Sequence, residues 1–188
     1  MIYSAASRYS PEQKGDEMKK HITLYNLIFP IWLLWVIPTT WIVVLPVNFL
    51  IDITVVMLTL KYLKVTQIWK KTKAVIVKTW IYGFAADFIG TVFMLLSNLI
   101  DFDTNTQFGR WWYENILNAV AYAPFSSPYS ILWVAVCILI TAFFIYVFNY
   151  RLCFKKLDIE DAQKKKLALS LAVFTAPYLF YLPTSWFF

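Results

Sequence analysis

Long apolar stretches alternate with short polar segments along most of the chain. The apolar stretches cover residues 22–37, 41–63, 75–100, 129–149 and 167–188. A helix needs about 20 apolar residues to cross the hydrocarbon core of a bilayer. The pattern therefore predicts an all-α integral membrane protein with about five transmembrane helices. Residues 1–21 form a predicted polar tail, and residues 22–188 a single transmembrane domain, because no linker divides them.

The boundary between the first two predicted spans follows from length. Between Lys20 and Lys61 the only strongly charged residue is Asp52. Forty helical residues would extend about 60 Å, which is twice the hydrocarbon thickness. Pro38 supplies the break, since proline lacks an N–H donor and disfavours helix in the residue before it. Residues 22–37 are short for a span, and one half of a re-entrant hairpin is the alternative.

The basic residues predict the orientation. Four lie in residues 8–20, six lie between Lys61 and Lys78, six lie between Arg151 and Lys166, and only Arg110 lies elsewhere. Lysine and arginine beside membrane spans remain on the cytoplasmic side. Five crossings then place the N-terminus in the cytoplasm and the C-terminus outside. We expect the two later basic segments to contact anionic lipid headgroups of a plasma membrane.

Composition supports a membrane protein and excludes several other classes. The chain is 60% hydrophobic and only 15% charged, whereas soluble domains average about 45–50% and about 25%. The net charge of +6 is explained by the residues that flank the spans, and no nucleic-acid partner is expected. Cys137, Cys153 and the single His21 are too few and too far apart for a structural zinc site. No metal or cofactor is predicted.

Two smaller elements are also predicted. Residues 110–117 are expected to form an interfacial helix in the longest loop, with Arg110 and Glu114 paired at i,i+4. The last helix should begin near Ile159, capped by Asp158. It should continue to the end of the chain, bent at Pro177 and Pro183.

Asp52 and Asp87 are the candidate functional residues. Each lies near the middle of a predicted span, where a charge costs about 2.5–3.5 kcal/mol, so each must face protein or water, or be protonated. The two spans are joined by a short loop, and we expect the carboxyl groups to lie at similar depth. Asn48 shares a helical face with Asp52. Close to Asp87, the small residues Gly83, Ala86 and Gly90 would allow another helix to approach.

Two interpretations of these acids remain open. Two neighbouring carboxyl groups would share a proton or hold a cation, which predicts a proton, cation or small-solute transporter or channel subunit. Alternatively, a protonated Asp is a hydrogen-bonded link between helices, and the protein is a noncatalytic subunit or assembly factor of a larger membrane complex. In either case we expect a homo-oligomer or a complex subunit. No soluble-type catalytic motif is present, although intramembrane aspartyl chemistry remains open.

Overall fold

The computed structural model describes residues 38–100 and 102–184, with side chains from residue 42 onward. Over these residues the chain is helical and contains no β-strand. The six α-helices are α1 (Pro38–Tyr62), α2 (Ile68–Leu99), α3 (Gln107–Trp112), α4 (Asn118–Tyr122), α5 (Pro128–Phe148) and α6 (Asp161–Phe174). Two π-helical turns, Tyr113–Leu117 and Asn149–Cys153, extend α3 and α5, and short 3₁₀ turns cover Pro124–Ser126 and Tyr178–Tyr181.

Three of these helices are long and apolar enough to cross a membrane. They comprise Ile42–Tyr62, Ile68–Leu99 and Pro128–Cys153. They correspond to the predicted spans 41–63, 75–100 and 129–149, whereas the predicted span 22–37 lies outside the described residues. Helix α2 begins seven residues earlier than predicted. Its 32 residues extend about 48 Å, so its first turns, which carry lysines, belong to the helix rather than to a loop.

Helices α1, α2, α5 and α6 form a closed ring. Helix α1 packs against α2, α2 against α5, α5 against α6, and α6 against α1. At one end of the ring the Gln163 amide donates a hydrogen bond to the Leu63 carbonyl (3.4 Å), so α6 starts beside the loop between α1 and α2. The two later basic segments therefore lie at the same end of the bundle, which we call the basic end.

Helix α6 begins with a different N-cap residue from the one predicted. Glu160, rather than Asp158, is the N-cap, and its backbone N–H donates to Gln163 Oε1 (3.2 Å). In the next residue, the Asp161 carboxylate accepts bonds from Lys165 Nζ (2.9 Å) and from the Tyr150 hydroxyl (3.0 Å). These two donors hold the pKa of Asp161 below its ordinary value. The capping glutamine three residues into the helix fixes where the helix begins.

The last helix ends much earlier than predicted. Helix α6 stops at Phe174 after 14 residues, about 21 Å, instead of continuing with bends through residues 167–188. Pro177 has no N–H to continue the helical bonding, and it disfavours helix in the residue before it. The chain turns at this point and continues as a 3₁₀ turn at Tyr178–Tyr181. Residues 185–188 lie outside the described residues.

The interfacial segment is helical over a longer range than predicted. It runs from Gln107 through the π-helical turn to Tyr122. The prediction of an ion pair between Arg110 and Glu114 is wrong. Among the described residues one ion pair is present, and it joins Lys165 to Asp161. Glu114 lies in the π-helical turn, whose wider spacing removes the normal i,i+4 alignment of side chains.

Candidate functional site

A cavity of about 540 Å³ lies between α1, α2 and the irregular segment that follows α6. The cavity forms because α6 ends at Phe174. Beyond this point the place of α6 in the ring is taken by residues 174–182, most of which follow the end of the helix. Most of its lining is apolar. Five lining residues have polar side chains other than aromatic ones: Asn48, Asp52, Asp87, Thr91 and Thr175. Both acids predicted from the sequence therefore line a single cavity.

Asp52 projects from α1 toward Gly83 of α2. Its side chain is nearly buried, with a residue exposure of 7%. A Cβ atom placed on Gly83 would lie 3.9 Å from Asp52 Oδ2, an ordinary van der Waals distance. Because Gly83 has no side chain, this carboxyl oxygen faces open space in the cavity.

Asp87 lies one helical turn beyond Gly83 on the same face of α2. One turn is about 6 Å along the axis, so Asp52, which faces Gly83, and Asp87 lie within about one helical turn of each other. Asp87 Oδ1 is buried and has no hydrogen-bond partner. Among the described residues no hydrogen bond joins the two carboxyl groups. The acids thus share a cavity without a hydrogen bond between them.

The other residues expected at the site occupy different positions. Asn48 lines the cavity, but no hydrogen bond joins its amide to Asp52 within the described part of the chain. Ala86 is fully buried in the core near the basic end. Gly90 lies against α5, where an added Cβ would overlap Thr141 Oγ1 and lie 3.2 Å from Phe180 Cε2. Only Gly90 among the three small residues marks a very close approach of two helices.

Aromatic side chains form a large part of the cavity wall. Trp80 packs edge-on against Phe49 and Phe84, with ring centroids 5.7 and 5.6 Å apart. The Trp80 indole also donates to the Leu45 carbonyl (3.2 Å), which ties α2 to α1 beside the cavity. Further rings line the cavity from α2 and from the C-terminal segment: Phe88, Phe174, Tyr178 and Phe180.

The charges around the cavity are unbalanced. Two carboxyl groups line it, whereas none of the described lining residues is a lysine, arginine or histidine. The described residues also hold no group of three or more His, Cys, Asp and Glu side chains able to bind a metal ion. A carboxyl group in such surroundings is either protonated or paired with a cation that the described lining residues do not supply.

Buried polar atoms continue from the cavity toward the basic end. Thr72 Oγ1 and Asn149 Oδ1 are buried and have no hydrogen-bond partner. Thr79 Oγ1 lies beside the Cys153 thiol, a weak hydrogen-bonding group, without a bond of normal geometry. Buried oxygens without partners are the usual positions of internal water molecules.

The threonines among these buried polar residues are not evident from the sequence. Threonines within apolar runs usually bond to their own backbone, as Thr141 does to the Cys137 carbonyl (2.9 Å). Thr72 and Thr79 are seven residues apart, which places them on one face of a helix. This spacing is the sequence feature that could have identified them. No feature of the sequence predicted the cavity wall formed by residues 174–182, because a continuous helix was expected there.

These observations define the class to which the protein belongs. The described residues contain three helices able to cross a membrane, and two of these helices carry acids that line a common cavity, as expected of a helical membrane protein. Comparisons of the chain with protein-family models, curated proteins and solved structures found no match. The function is therefore inferred from the cavity itself.

Proposed function

We propose that the protein binds a cation or protons at Asp52 and Asp87 and carries them across the membrane. The observation that carries this proposal is the unbalanced charge of the cavity, where two acids face no basic side chain among the described lining residues. Intramembrane acids are rare and costly, and they mark ion and proton pathways in many membrane proteins.

The buried oxygens toward the basic end support an access route. The rings of Tyr82 and Phe148 pack 5.7 Å apart, so Asn149, the next residue, lies near the level of Gly83 and of the Asp52 carboxyl group. Thr79 and Thr72 follow at one and three turns further along α2. Water molecules bound to these oxygens would link the cavity to the solvent at the basic end.

The proposal includes the topology suggested by the charges. Five crossings would place the basic end and the N-terminus in the cytoplasm, beside anionic lipid of a plasma membrane, and the C-terminus outside. Because one chain supplies few helices, we propose that it works as a homo-oligomer or as a subunit of a larger complex.

Flux in proteoliposomes tests the proposal. Purified protein is reconstituted with an imposed pH or cation gradient, and dissipation is followed with a trapped pH-sensitive or cation-sensitive dye. We expect Asp52→Asn and Asp87→Asn each to abolish protein-dependent flux, because an amide cannot exchange a proton or neutralise a cation. The matched control is Asp158→Asn, which removes the same charge from an exposed position at the basic end.

The outcome separates the two interpretations of the acids. Unchanged flux in both cavity variants, with intact folding by size-exclusion chromatography, would remove the transport proposal. Absence of flux in the wild-type protein, together with a stable partner on gentle purification, would instead favour the noncatalytic subunit.

A further inference from the structure

From the lining of the cavity, we infer that its ligand is an organic cation with an apolar, ring-sized body rather than an inorganic ion. The inference rests on the proposed function, because it names the class of substrate that Asp52 and Asp87 would bind. Three features of the cavity carry it: its volume, its polar groups and its aromatic wall.

The volume fits an organic molecule. Cavities of about 300–1,000 Å³ bind drug-sized ligands, and this cavity holds about 540 Å³. A single dehydrated metal ion would leave most of that space empty.

The polar groups are too few for a hard metal ion. Calcium takes six to eight oxygen ligands and magnesium six, in confined geometries. Here the described lining supplies two carboxyl groups, and the hydroxyls of Thr91 and Thr175 are held against their own helices by the bonds that they donate to the carbonyls of Asp87 (3.0 Å) and Leu171 (2.8 Å). The described residues hold no cluster of three metal-ligating acids, cysteines or histidines. One positive charge spread over a larger group matches this arrangement better.

The aromatic wall matches the body of such a ligand. Trp80 and Phe84 lie on the same helix as Asp87 and line the same cavity, and Tyr178 and Phe180 line it from the segment after α6. Cations bind over the faces of aromatic rings, and rings also pack well against apolar groups. Carboxyl groups beside aromatic rings in one cavity therefore suit a quaternary ammonium, phosphonium or amine with an apolar body.

Binding of tetraphenylphosphonium to the purified full-length protein in detergent tests this inference. Radiolabelled tetraphenylphosphonium is measured by equilibrium binding, and tetraphenylborate, of the same shape and opposite charge, is measured in separate samples as the matched control. We expect saturable binding of tetraphenylphosphonium and none of tetraphenylborate. Asp52→Asn and Asp87→Asn should each weaken it about tenfold or more, and Asp158→Asn should leave it unchanged.

Further variants test the volume and the rings. Gly83→Leu fills the space beside Asp52 and should abolish binding, whereas Gly83→Ala adds only an atom at van der Waals distance and should preserve it. Phe84→Leu should weaken binding about threefold through the lost cation–π contact. Its control is Phe143→Leu, on an exposed position of α5.

Several results would overturn the inference. The first is absence of saturable tetraphenylphosphonium binding, and the second is binding by both acid variants equal to that of the wild type. The third is saturable binding of tetraphenylborate as tight as that of tetraphenylphosphonium. The fourth is stronger displacement of tetraphenylphosphonium by potassium or calcium chloride than by choline chloride, a quaternary ammonium salt, at equal ionic strength. These outcomes are separable from the flux assay. Acid-dependent proton or metal-ion flux without tetraphenylphosphonium binding would keep the proposed function and reject the organic ligand. Acid-dependent binding without flux of any tested cation would keep the ligand class and reject transport.

Discussion

Substitution of Gly90 by alanine tests the close approach of α2 to α5. The added Cβ would overlap Thr141 Oγ1, and both Thr141 Cβ and Phe180 Cε2 lie 3.2 Å from its position. Thr141 is fully buried, so it has little room to move. Gly83→Ala is the matched control on the same helix, since its nearest neighbour, Asp52 Oδ2, is 3.9 Å away.

The expected magnitude follows from the comparison of the two variants. Both gain the helix propensity of alanine over glycine, about 0.5–1 kcal/mol. Only Gly90→Ala also incurs the cost of overpacking, about 1–3 kcal/mol. The difference between their free energies of unfolding should therefore equal the overpacking cost. We expect Gly83→Ala to be slightly more stable than the wild type and Gly90→Ala to be less stable.

Unfolding by dodecyl sulfate in mixed micelles, followed by far-ultraviolet circular dichroism, measures this difference. Thr141→Ala introduced into Gly90→Ala removes the overlapping oxygen and should restore about 1 kcal/mol or more beyond the sum of the single effects. If Gly90→Ala and Gly83→Ala unfold at the same detergent fraction, α2 and α5 do not approach each other as described, and the reasoning fails.

Two further predictions concern the basic end. Lys64 and Gln67 have left-handed backbone conformations (φ of 54° and 55°), which suit glycine. Lys64→Gly and Gln67→Gly should each stabilise the protein by about 0.5–1 kcal/mol in the same unfolding assay, whereas Lys61→Gly, inside α1, should destabilise it by about 1 kcal/mol. The Lys165 ammonium lowers the folded-state pKa of Asp161 below its ordinary value of about 4. The interaction therefore stabilises the folded protein above about pH 4. This stabilisation is lost as the pH falls through the folded-state pKa. Asp161→Asn should therefore unfold at a lower urea concentration than the wild type at pH 7, and the gap should close as the pH falls below about 4. A gap that is independent of pH would contradict the interaction.

Much of the helical framework could be predicted from the apolar pattern. Helix α1 ends within one residue of its predicted end and α5 begins within one residue of its predicted start, whereas α2 begins seven residues early within the basic segment. These boundaries follow from local sequence, because a bilayer-length apolar run that is bounded by charges has few alternatives to a helix.

The end of α6 could not be predicted in the same way. Pro177 can bend a helix or end it, and the choice depends on whether other partners satisfy the chain beyond it. Here the Tyr181 hydroxyl donates to the Ile131 carbonyl (2.9 Å) and Thr184 Oγ1 donates to the Ala121 carbonyl (3.0 Å). These bonds join residues 50 or more positions apart, and local sequence does not reveal them.

The candidate site was predictable in its residues but not in its shape. Acids in apolar runs are visible at once, and Asp52 and Asp87 do line a common cavity. The approach of the two acids depends on how α1 and α2 pack, and their aromatic surroundings depend on where α6 ends. Neither is encoded in the spacing of the acids along the chain.

The segment after Phe174 also bears on how this site could diversify. Regular helices constrain one another through shared packing, so a change in one is transmitted to its neighbours. A wall built from turns tolerates insertions and exchanges of ring size without disturbing the scaffold. Variants selected for a new ligand should therefore accumulate changes between Thr175 and Leu182 first, while the helices that carry the acids stay as they are.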